Sequence, residues 1–111
     1  MGNHEKYLTI IKTICEKNNI SNNELEDILK EKEFKYLVIL CLKKYDCVDE
    51  EGLKRILNVK TRRSLYNNIR KAEEKLLINR NFRKRYYDLE KDIKNIIDIW
   101  YIILVINSIL W

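Results

Sequence analysis

Apolar residues recur in steps of three and four over most of this chain, the spacing that lines one face of an α-helix. Tyr7, Ile10, Ile11, Ile14 and Cys15 mark a first amphipathic helix over about residues 5–18. A second begins where Ser21 and Glu24 form a capping box and Ile20 and Leu25 the matching hydrophobic staple. Over residues 32–45 the stripe Phe34, Leu37, Val38, Cys41 is joined by Tyr36, Ile39, Leu40 and Leu42, so little polar surface remains and this helix should be the central, most buried one. Asp49 is placed to cap a short helix carrying Leu53, Ile56 and Leu57, with Val48 stapled to Leu53 and a stop at Asn58. After a tight turn, Thr61 is placed to cap a longer helix whose inner stripe is Leu65, Ile69, Ala72 and Leu76.

At Leu77 the period reads as two. Leu77–Asn79 and Arg85–Leu89 predict a pair of short strands, with Tyr87 and Leu89 inward, Tyr86 and Asp88 outward, and Asn79 and Asn81 supplying the turn in a region without glycine. A last helix follows. Ile93, Ile96, Ile97, Trp100 and Leu104 form a stripe suited to pack on the domain, and Ile99, Ile102, Ile106 and Ile109 form a second apolar face. The fold class expected is mainly α with a small two-stranded β-hairpin. One domain is expected across residues 1–111: N-terminal helices (5–31), a helix-turn-helix core with the hairpin (32–89) and a C-terminal helix (90–111), because 111 residues suffice for one core and not two.

Charge sharpens this picture. Residues 1–53 hold eight basic against eleven acidic groups, residues 54–87 twelve against two, and residues 88–111 two against four. Every arginine lies between Arg55 and Arg85. A confined basic block with acidic flanks is the distribution of a docking face for a polyanion. Cys15, Cys41 and Cys47 are odd in number and lack CxxC spacing, and His4 is the single imidazole, which argues against a disulfide framework or a closed zinc site. Spread carboxylates, an isolated histidine and no glycine-rich phosphate loop argue against an enzyme, and no cofactor or small-molecule substrate is indicated. The N-terminus lacks an apolar export segment and has Lys6 where a myristoylation signal needs Ser or Thr, so a cytoplasmic location is expected.

From Phe34 to about Ile93, the order helix, helix, longer basic helix, hairpin, helix, ending in KRYYDLEKDI, resembles the winged helix-turn-helix family, in which a basic strand of the type RRYY-x-L closes the wing. Small winged-helix accessory proteins of plasmid conjugation, including relaxosome components, are similar in size and plan. The resemblance implies a double-stranded DNA-binding protein, acting in transcription regulation or as a plasmid transfer or replication accessory factor, with the helix after Thr61 in the major groove and the wing on the backbone. On the outward face of that helix, Arg63, Asn67 and Arg70 are the residue types that pair with guanine and adenine edges and are assigned to base contacts. Lys60, Arg62, Ser64 and Lys71 on or beside the helix, and Arg80, Arg83, Lys84 and Arg85 on the wing, are assigned to backbone contacts. Tyr66 reads equally as packing or as a phosphate ligand.

The C-terminal apolar run is shorter than the roughly 20 residues of a membrane span and is interrupted by Asn107 and Ser108. A homodimer through Ile99, Ile102, Ile106 and Ile109 is therefore expected ahead of a membrane, the alternative being that the acidic N-terminal helices cover this face within one chain. A winged-helix protein–protein adaptor without DNA binding is the second functional reading, and a protein of the cytoplasmic membrane surface the third.

Overall fold

The computed structural model describes residues 1–21 and 29–110. They form five helices: α1 (Asn3–Lys17), α2 (Lys32–Tyr45), α3 (Glu50–Leu57), α4 (Arg62–Ile78) and α5 (Arg80–Leu110). The capping box of Ser21 with Glu24 and the staple to Leu25 lie outside the described residues, apart from Ser21 and Ile20 themselves.

Local chemistry sets the helix ends. α1 stops in a Schellman turn: Asn19 is left-handed (φ 55°), its N–H reaches Glu16 O, and Ile20 N–H reaches Cys15 O at 2.9 Å. Asn58 (φ 53°) ends α3 the same way, with Val59 N–H on Lys54 O at 3.0 Å. Asp49 caps α3 by accepting from Gly52 N–H at 2.7 Å, and Thr61 caps α4 by accepting from Ser64 N–H at 3.1 Å. Both caps stand where the sequence places them.

α2 is the centre. Phe34 and every residue from Tyr36 to Leu42 are buried, and α1, α4 and α5 all pack on this helix. Ile10, Ile14, Leu65, Ile69, Ala72, Phe82, Tyr86, Leu89 and Ile93 join them in one continuous core. α3, short and amphipathic, lies against α4.

The hairpin is not formed. Among the described residues the fold is all-α and contains no strand, so no wing follows α4. The chain turns on the single residue Asn79. Its N–H closes α4 on Lys75 O at 2.9 Å, its carbonyl accepts from Arg83 N–H, and its side chain caps α5 by accepting from Phe82 N–H at 2.9 Å. Phe82, Tyr86, Leu89 and Ile93 then follow in steps of four, three and four and are all buried; Leu89 is inward as the strand reading has it, but Tyr86 is buried and Tyr87 exposed, the reverse of that reading for the pair. A two-residue period supported by few positions is overridden by a helical stripe that continues unbroken into the next segment.

Charged contacts tie α5 to the body. Lys17 meets Asp92 at 2.6 Å, Arg85 meets Glu33 at 2.8 Å and also donates to Asn18, and Lys44 meets Glu90 at 3.3 Å. The Tyr45 hydroxyl donates to Glu90 Oε1 at 3.1 Å. Burial, followed by Glu90, pushes the Cys41 thiol up to about 12, and burial together with the Glu90 hydrogen bond raises the Tyr45 phenol. Beyond Ile97 these contacts cease. Trp100 and Leu104, expected to pack on the domain, are both 41 % exposed, and residues 98–110 are exposed throughout.

Candidate nucleic-acid interface

α3, the turn of residues 58–61 and α4 follow one another, with α3 against α4 and α4 packed on α2. Leu65, Ile69 and Ala72 hold α4 down by one stripe, which leaves Arg63, Asn67, Arg70 and Glu74 along the middle of its outward face. Thr61, Arg63, Ser64, Tyr66, Asn67 and Arg70 line a shallow open hollow over the first half of the helix. With Thr61 satisfying Ser64 N–H, the positive end of the helix dipole faces outward beside Lys60, Arg62 and Arg63, an arrangement that favours phosphate.

The side chains on this face differ in what they hold. Arg70 is braced on both sides, donating to Asn67 Oδ1 at 2.7 Å and to Glu74 Oε1 at 2.8 Å. That leaves the Asn67 amide NH2 directed to solvent with its oxygen engaged, the orientation of a donor awaiting an acceptor. Arg62 is held to α3 through Glu50 at 3.3 Å and stacks over the Tyr66 ring at 5.2 Å with a hydrogen bond to its hydroxyl. The Tyr66 hydrogen bond, followed by Glu50, raises the Arg62 guanidinium above its ordinary value. Tyr66, half exposed, therefore orients a cation in this site. Arg63, Lys60 and Lys71 make no hydrogen bond or ion pair among the described residues and point to solvent.

The cations assigned to the wing sit elsewhere. Arg80 and Lys84 are exposed at the corner between α4 and α5 and have no partner among the described residues. Arg63 and Ile78 are about 22 Å apart along α4, so the structure does not bring this cluster beside the outward face. Arg83 donates to Leu76 O at 3.2 Å and Leu77 O at 2.9 Å, closing the C-terminal carbonyls of α4, and Arg85 is taken up by Glu33 and Asn18. Glu33 and Arg85 stand 52 positions apart, and no sequence period pairs them.

The fourth assigned group, Ile99, Ile102, Ile106 and Ile109, lies on the exposed far half of α5. No family model, characterised protein or solved structure matches the chain.

Proposed function

We propose that the chain binds double-stranded DNA at a specific site through α4, without a wing. The observation that carries this reading is the outward face of α4. Arg63, Asn67 and Arg70 stand together on the first half of a capped helix whose packing on α2 through the opposite stripe leaves this face to solvent. Such a helix enters a major groove with its N-terminal half against the base edges. Lys60, Lys71, Arg80 and Lys84 reach phosphates on either side, and the span of about 22 Å from Arg63 to the corner fits within one 34 Å turn of duplex.

Titration with duplex DNA at increasing salt tests this. If Lys60, Lys71, Arg80 and Lys84 each displace a counterion, log K falls against log salt with a slope near −3 to −4, at about −0.9 per phosphate. A flat response, or no retention of duplex at low salt, favours the protein–protein adaptor. That second reading has one observation behind it, the exposed Leu77 and Ile78 at the end of α4.

A further inference from the structure

We infer that the far half of α5 is a membrane-docking helix, which places residues 99–110 in the hydrocarbon of a lipid bilayer and holds the DNA-binding body at its surface. The argument starts from the way apolar side chains surround the helix. At roughly 100° per residue, Ile102 and Ile106 lie on one side, Leu104 on the opposite side, and Tyr101, Ile103 and Val105 between them. All are at least two-fifths exposed, and from Ile99 to Leu110 the sequence has no formal charge. A helix apolar on every side belongs in a protein core or in a membrane. This one is not in a core.

The homodimer expected from sequence supposed that one stripe, through Trp100 and Leu104, would be covered by the domain, leaving a second stripe for a partner. The structure leaves both uncovered. Pairing through Ile99, Ile102, Ile106 and Ile109 would bury one side of each helix and leave Trp100, Tyr101 and Leu104 in water. Lipid covers every side at once.

Length and flanks agree. By length and composition α5 qualifies as a membrane-crossing helix, and only 6 % of its qualifying eighteen-residue stretch is buried in the body. The uncharged stretch from Ile99 to Leu110 rises about 18 Å as a helix, a little over half the hydrocarbon thickness of about 30 Å, so it reaches through one leaflet. Where the uncharged run meets the charged part of α5 stand Trp100 and Tyr101, the residues that favour the membrane–water boundary. Six and nine residues before Trp100, Lys94 and Lys91 are exposed, without partners among the described residues, and suited to headgroup phosphates.

The test needs no DNA and stands apart from the DNA reading. The full chain is mixed with phosphatidylcholine vesicles containing a minor share of phosphatidylserine and floated on a density gradient. Trp100 and Trp111 are the chain's two tryptophans, so their emission reports this segment alone. The protein floats with the vesicles, and its tryptophan emission shifts to the blue and is quenched by brominated lipid. Ile102→Glu with Ile106→Glu, and separately Leu104→Glu on the opposite side, each lower vesicle binding on the order of tenfold or more. Circular dichroism checks that both variants keep their helices. Protein that stays in the aqueous fraction with unquenched tryptophan overturns the inference. So does loss confined to the Ile102/Ile106 variant in a protein that sediments as a dimer, which would make a second copy the occupant.

Discussion

Four of the seven arginines, Arg62, Arg70, Arg83 and Arg85, bind acceptors of the protein itself, and that division governs what substitutions should do. Arg63→Ala removes a free donor and should cost about 1–3 kcal/mol at the true DNA site while relaxing base preference locally; Lys84→Ala should weaken all duplexes alike, both measured by competition binding. Glu74→Gln frees Arg70 and removes a like charge to phosphate, so duplex affinity should rise about two- to fivefold regardless of sequence. Gly52 is a packing glycine: a Cβ there would lie 2.6 Å from Val48 Cγ1 and 3.0 Å from Asp49 Oδ1. Gly52→Ala should therefore destabilise by about 1 kcal/mol in denaturant unfolding, overpacking outweighing the better helix propensity. The phenols give a pH signature. Burial raises Tyr45 and Tyr86, and Cys41 to about 12, so the unfolded chain ionises first; stability is full below the ordinary thiol and phenol values near 9 and 10 and falls as pH rises above them. Tyr45→Phe should flatten the fall of Tm above pH 10, and an unchanged alkaline slope would place the cause elsewhere.

Along α5 the same residue type should behave in two ways. Ile93 is fully buried and Ile102 is 55 % exposed, so Ile93→Ala should cost about 2–5 kcal/mol in solution and Ile102→Ala close to nothing, read by thermal or urea unfolding. The first three elements past residue 31 were legible in the sequence because their signals are local: the apolar crowding of α2, the caps Asp49 and Thr61, and the four-and-three spacing of α4. The hairpin misreads a segment whose cues fit two periods. Tyr86 and Tyr87 are adjacent, so either can be inward, and Asn79 serves a turn or a cap equally well; the stripe from Phe82 to Ile93 decides it only when followed across the assumed strand boundary. The outward face of α4 could be read because helical phase alone defines it. The engagement of Arg83 and Arg85 could not, since their acceptors are a helix terminus and residues more than fifty positions away.

Taken whole, the molecule is elongated by one helix. Its radius of gyration is 15.0 Å against about 13 Å for a compact chain of this length, and its longest dimension, 47 Å, matches the 31 residues of α5 at 1.5 Å each. Of the described residues, removing the segment from Ile99 onward takes away none that is buried in the body. The shortened chain should keep its thermal midpoint and its DNA affinity, lose vesicle binding, and show a radius of gyration near 13 Å by small-angle scattering. The joint at Asn79 then acquires a mechanical meaning. One residue closes α4, opens α5 and caps the second with its side chain, so the corner has no spare link to absorb rotation. If duplex seats along α4 and lipid holds the far end of α5, as proposed, the inclination of the DNA to the membrane plane is set at a single asparagine.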